Sequence, residues 1–160
     1  MNNQKIPVTQ AIRLLRENKV IFDSHFYKYE EKGGAHASAR ELGVDEHVVI
    51  KTLIMETDQK APLVVLMHGD CEVSTKSLAR ELGVKSISPC DPITANKYSG
   101  YVVGGTSPFG TKKHMPVYIQ KTILDLPKIY INGGQRGFLV SLVPNEIMRV
   151  LNPVSLEMRA

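Results

Sequence analysis

The sequence predicts a mixed α/β domain with helices set around a sheet built mostly from strand hairpins. Three observations predict it: short apolar runs of strand length bounded by turn residues, amphipathic stretches of helical period between them, and glycines placed where helices stop. The 160 residues are 42% hydrophobic and 22% charged, which suits one core without disulfides or structural metal. No linker or composition shift divides the chain, so a single domain over residues 1–160 is expected.

Val8, Ala11, Ile12 and Leu15 recur at helical spacing behind Thr9, a capping residue type, and predict a helix over 9–18 closed by Asn18. Residues 20–29 alternate loosely as a strand, and Gly33-Gly34 breaks it. A short helix at 38–42 ends on Gly43. The hexapeptide Ala39-Arg-Glu-Leu-Gly-Val44 recurs at 79–84, each time as the last turn of a helix with glycine where a left-handed conformation is cheap. Two copies are one helix stop used twice and do not make a solenoid. Apolar runs at 48–55 and 62–67, joined by a polar turn at 57–60, predict a hairpin. A helix at 74–82 follows, and Asp91-Pro92 opens another that Gly100 ends. Strands at 101–103, 116–119, 129–132 and 138–142 and a helix at 144–151 complete the prediction.

Several function classes are disfavoured. Cys71 and Cys90 form no CxxC pair, and the five histidines (His25, His36, His47, His68, His114) show no HExxH or other metal spacing, so neither a disulfide framework nor a metal is expected. No apolar leader opens the chain and no apolar run approaches the ~18 residues of a membrane span, so a soluble cytoplasmic protein is expected, with no membrane partner. The net charge of +4 is uneven: residues 97–136 hold six basic residues against Asp125, or +5, leaving −1 for the other 120. Such a stretch suits a phosphate-rich partner, or is simply a solvated surface.

Three segments invite chemistry. The run Gly100-Tyr-Val-Val-Gly-Gly-Thr-Ser-Pro-Phe-Gly110 reads as a strand entering a glycine-rich loop whose N–H groups can approach a ligand. It is not a nucleotide P-loop, because Thr111 separates Gly110 from Lys112 and Pro108 removes a donor. Lys51 interrupts the apolar run 48–55, where a cation either faces a polar cavity or lies at a sheet edge; Thr52 points to the opposite face. The cluster Ile129-Tyr-Ile-Asn-Gly-Gly-Gln-Arg-Gly137 ends a strand in a turn carrying Arg136, with Asn132-Gly133 as a hairpin dipeptide. No GxSxG elbow or standard triad is legible.

Taken in order, Ile50-Lys-Thr-Leu53, Ala79-Arg-Glu-Leu-Gly83, Gly100 to Pro108 with Lys112-Lys113, and Ile129 to Gly137 resemble the motifs of the YbaK/EbsC family of aminoacyl-tRNA deacylases over residues 8–155. The resemblance implies a curved, barrel-like mixed sheet surrounded by helices, related to the editing domain of prolyl-tRNA synthetases. It implies a trans-editing hydrolase that needs no cofactor and removes a small noncognate amino acid, cysteine foremost, from tRNA-Pro by substrate-assisted ester hydrolysis, the terminal ribose hydroxyl aiding a water or a cysteinyl thiol attacking itself, with prolyl-tRNA synthetase as a possible partner. The alternative it leaves is a tRNA-binding or regulatory module of the same fold without hydrolysis. By resemblance Lys51 is the essential lysine, and Gly104, Gly105 and Thr106 begin the GxxxP loop that ends through Ser107 at Pro108. Tyr27, Thr52, Ser107, Pro108, Asn132, Gly133 and Arg136 line the substrate site, and Lys112, Lys113 and His114 contact tRNA. Family members acting on cysteinyl-tRNA-Pro carry Ser near Asn132 and Asp near Leu139, and often Arg where His114 stands.

Overall fold

The computed structural model describes residues 5–160, which form eight strands and five α-helices. Residues 1–4, part of the opening segment read as lacking an apolar leader, lie outside them. Helix α1 (Gln10–Glu17) is capped as expected: Thr9 Oγ1 accepts from the Ile12 amide, and Ala11, Ile12 and Leu15 are buried. Strand β1 is shorter than predicted, Asp23–Phe26, because only these residues pair with β7 (Phe138–Leu142). Helix α2 (Gly34–Leu42) begins four residues early, since Gly33 takes the N-cap position and the two glycines start the helix instead of only ending a strand. It and α3 (Thr75–Leu82) carry the repeated hexapeptide and end identically, with Gly43 at φ 68° and Gly83 at φ 69°. Val44 and Val84 then bond back to Ala39 and Ala79 at 3.0 Å in both.

Strands β2 (Val49–Thr57) and β3 (Pro62–His68) form the predicted hairpin. Helix α4 (Pro92–Ser99) is capped by Asp91 and stopped by Gly100 at φ 82°. Residues 101–103 are not a strand: the Gly105 amide bonds Val102 O at 2.9 Å in a turn, and the Tyr101 hydroxyl bonds Phe109 O at 2.6 Å inside the core. Then follow β5 (Val117–Gln120), β6 (Ile129–Gln135), β7, α5 (Asn145–Leu151) and β8 (Val154–Leu156). Strand β4 (Ile87–Pro89) and β8, three residues each, were not legible, because strands so short form only where β2 and β5 offer an edge.

The sheet runs β1-β7-β6-β2-β3-β5-β8, with β4 on β2, and is mixed: β6/β2, β3/β5 and β5/β8 are parallel and the other pairs antiparallel. Alternation along β2 divides its side chains: Ile50 and Ile54 join α1, Phe109 and Phe138 in the main core, whereas Met55 and the half-buried Leu53 pack with Met67, Leu78 and Met158 on the other face.

Candidate functional site

A gap in the sheet makes the site. Along its outer edge β2 pairs with β6 only through Val49 and Ile50, and with β4 only from Met55 onward. Cys90 N bonds Ile54 O at 3.0 Å, so the stretch from Lys51 to Leu53, paired with β3 on one edge, has no strand along the other. A cleft of about 390 Å³ opens there, lined by Lys51 and Thr52, by Ala35 and Ser38 of α2, by Tyr27 and Tyr29, by Pro89, Cys90 and Ala95, and by Val103, Gly104, Thr106 and Asn132. Lys51 thus faces the cavity that the sequence left as one of two readings. Its side chain keeps 20% exposure, and Nζ lies 3.5 Å from Oε1 of Glu72, itself 85% exposed and so a weak partner. Thr52, though it points to the other face of β2, lines the same cleft through the gap in the sheet, and its Oγ1 is buried without a hydrogen-bond partner among the described residues.

The two glycine clusters meet at this cleft. Asn132 Nδ2 donates to Gly104 O at 3.1 Å, and Arg136 Nε donates to Val103 O at 2.8 Å while its guanidinium lies 4.9 Å from the Tyr29 ring centre. A Cβ on Gly105 would stand 2.8 Å from Arg136 N, and one on Gly104, at φ 86°, 2.8 Å from the Tyr29 ring, so glycine alone permits the approach. Asn132-Gly133 is not the hairpin turn. Asn132 Oδ1 instead accepts from the amides of Gly134 (2.7 Å) and Gln135 (3.1 Å), bulging β6 within the strand, and the chain reverses at Arg136-Gly137.

The remaining expected residues divide. Tyr27 lines the cleft, and burial pushes its phenol above the ordinary value. The Gly105 amide is spent on Val102 O, whereas the amides of Gly104 and Thr106 donate to no acceptor among the described residues. Ser107 and Pro108 are buried beneath the loop, Ser107 Oγ accepting from Phe109 N at 3.1 Å, and Gly133 packs on Phe138. These three shape the loop and strand but do not line the cleft. Lys112, Lys113 and His114 are exposed at the far end of the same loop, Lys112 N and Lys113 N bonding Ser99 O and Tyr98 O. Leu139 is buried against Val49 and Tyr130 and touches the cleft wall. Sequence reasoning missed Tyr29, Cys90, Ala35 and Ser38, which no motif marks because only the fold brings them to β2. Burial raises the Cys90 thiol to about 11, with Glu56 and Asp91 adding to the shift, so it stands protonated and is no nucleophile at neutral pH.

The eight-stranded mixed sheet with its five helices is a YbaK-like editing fold. The family model described as the aminoacyl-tRNA editing domain matches residues 29–150, and the chain belongs to that family. It is similar to an Enterococcus faecalis protein, EbsC, named as a candidate Cys-tRNA(Pro)/Cys-tRNA(Cys) deacylase, at 28% identity over 145 residues, 90% of this chain and 88% of that one. A proline–tRNA ligase of Thermodesulfovibrio yellowstonii matches at 34% over 97 residues, 59% of this chain but 16% of the ligase. Among solved structures, one described as a candidate trans-editing enzyme for prolyl tRNA synthetase superposes with a TM-score of 0.82 at 17% identity, covering 97% of this chain and 99% of that one. At that identity it attests the fold.

Proposed function

We propose that this chain is a trans-acting deacylase that hydrolyses the ester between a noncognate amino acid and the 3′-terminal adenosine of tRNA, tRNA-Pro first among substrates, as a single domain in the cytoplasm. The observation that carries the reading is Lys51 on the stretch of β2 that has a strand on one edge only, sharing one cleft with Gly104 and Thr106 of the glycine loop. In this reading the Lys51 ammonium anchors the terminal adenosine or the ester, and Tyr27, Thr52 and Asn132 position the aminoacyl group. The amides of Gly104 and Thr106 meet the oxyanion that develops when water adds to the ester carbon. The bond from the ester carbon to the ribose oxygen then breaks, the ribose oxygen takes up a proton lost by the attacking water, and free amino acid leaves. An ester is already activated, so positioning and N–H donors suffice without a side-chain triad. The E. faecalis relative's name supports cysteine as the amino acid removed, and the ligase relatives support docking to prolyl-tRNA synthetase.

The test is single-turnover deacylation of tRNA-Pro charged separately with Cys, Ala, Ser and Pro, by the wild type and by Lys51→Ala. One noncognate ester should be lost rapidly, and the variant should be slower by about 100-fold or more, the usual cost of removing a preorganised electrostatic group. A folded Lys51→Ala variant at full rate overturns the mechanism, and no loss across the panel points to another tRNA or to a tRNA-binding module.

A further inference from the structure

Outside the cleft, three potential metal-ligand side chains converge from two separate segments. His47 is the middle residue of a 3₁₀ turn (Glu46–Val48) ahead of β2, and Asp70 and Cys71 lie on the loop that leaves β3. His47 Nδ1 is 2.8 Å from Asp70 Oδ1, Cys71 Sγ is 3.5 Å from the same oxygen, and the three ligand atoms lie within 4.8 Å of one another. We propose that His47, Asp70 and Cys71 bind one divalent transition-metal ion of zinc's class, with a fourth position open to solvent.

Geometry and donor chemistry agree on this. Tetrahedral zinc with N and O ligands near 2.0 Å and S near 2.3 Å sets the O···S edge at about 3.5 Å and the N···O edge at about 3.3 Å. The first edge is already present, the second requires His47 and Asp70 to part by roughly half an ångström as an ion enters between them, and the His47 Nδ1 to Cys71 Sγ separation, within 4.8 Å, must come to about 3.5 Å. An imidazole and a thiol beside one carboxylate select zinc, cobalt or copper over magnesium and calcium, which prefer oxygen alone. On binding, Cys71 releases its thiol proton to solvent, and His47 carries its single proton on Nε2, leaving Nδ1 for the ion.

The supports behind the ligands are fixed in advance. The His47 ring stacks on His68 at 3.7 Å and 6°. Buried His68 is itself pinned, its Nδ1 2.8 Å from His47 O and its Nε2 2.7 Å from Thr122 Oγ1. Asp45 Oδ1 accepts the His47 amide at 2.9 Å. On the facing loop Gly69 N bonds Val49 O at 2.7 Å, and a Cβ there would stand 2.7 Å from Glu46 O, so this glycine lets Asp70 and Cys71 come against His47. Such outer contacts orient ligands and raise affinity. The donors come from positions 47, 70 and 71, which match no linear metal spacing, so motif reading misses the site.

The inference stands apart from the proposed deacylation and is tested without it. The full-length reduced protein, freed of metal by chelator, is titrated with cobalt(II). One equivalent should give the visible bands of a four-coordinate ion and a thiolate-to-cobalt charge-transfer band, both removed by one equivalent of zinc. Cys71→Ser should abolish the charge-transfer band, His47→Asn should weaken binding at least about tenfold, and Cys90→Ser should leave the spectrum intact. Zinc should also raise the Tm of the wild type and leave that of folded Cys71→Ser unmoved. No charge-transfer band, a band that survives Cys71→Ser, or one lost with Cys90→Ser overturns the site.

Discussion

Thr52 is where sequence alternation and the structure make one claim with two consequences. Its Oγ1 is buried without a partner, and an unsatisfied hydroxyl costs about 1–3 kcal/mol relative to a paired one. Thr52→Val removes that oxygen at nearly constant shape, so Tm should hold or rise while the deacylation rate falls, because the hydroxyl is then missing only from the bound ester. A fall in Tm with unchanged rate would assign Thr52 a structural bond instead. Gly133 makes the opposite case. A Cβ there would stand 2.4 Å from the ring of fully buried Phe138, so Gly133→Ala should cost roughly 1–3 kcal/mol by overpacking. Urea unfolding checks it, and a neutral result would mean the Phe138 ring has room to turn.

At the scale of elements, one buried chain of hydrogen bonds ties β3, β5 and the C-terminal strand region together. Gln120 Oε1 accepts from Met158 N at 2.7 Å, Gln120 Nε2 donates to Thr122 Oγ1 at 3.1 Å, and Thr122 meets His68 at 2.7 Å. Burial holds His68 below its ordinary value of about 6.5, outweighing the bond to His47 O that acts the other way. The unfolded chain therefore takes up a proton at higher pH than the folded one, so His68's contribution is present above pH about 6.5 and is lost as pH falls below it. His25, also lowered chiefly by burial, acts with the same sign. Tm should drop between pH 7.5 and 5.5, and less steeply in His68→Gln; equal slopes would remove His68 as the cause. Such a network is invisible in sequence, since it joins residues 38 to 54 positions apart. What was legible was local: the Thr9 and Asp91 caps, both glycine stops, and the β2–β3 hairpin follow from side chains within a few residues of one another. What failed needed a partner: β4 and β8 exist only against an edge, and residues 101–103, though apolar, lost their strand because Tyr101 anchors inward to Phe109. The site divides likewise, with Lys51 readable as an anomaly in an apolar run while Tyr29 and Cys90 reach the cleft only through the fold.

Across the whole molecule, charge and cleft are joined by one loop. Val103, Gly104 and Thr106 line the cavity, and the same segment runs on to Lys112 and Lys113, tied down by the Tyr101–Phe109 bond and by Lys112 N to Ser99 O at 3.0 Å. Lys113 Nζ rests 5.4 Å from the centre of the Tyr98 ring, which holds its charge on the surface beside α4. A tRNA with its terminal adenosine at Lys51 would then lay acceptor-stem phosphates over this pair, and each neutralised phosphate releases counterions. Lys112→Ala with Lys113→Ala should weaken tRNA binding alike for every amino acid attached and lower the slope of log K against log salt by up to about 2, one per contact. The single-turnover rate at saturating tRNA should be unchanged, because neither lysine lines the cleft. An unaltered slope would place the phosphates elsewhere on the +5 stretch, with Lys97, Lys121, Lys128 and Arg136 the residues left to carry them.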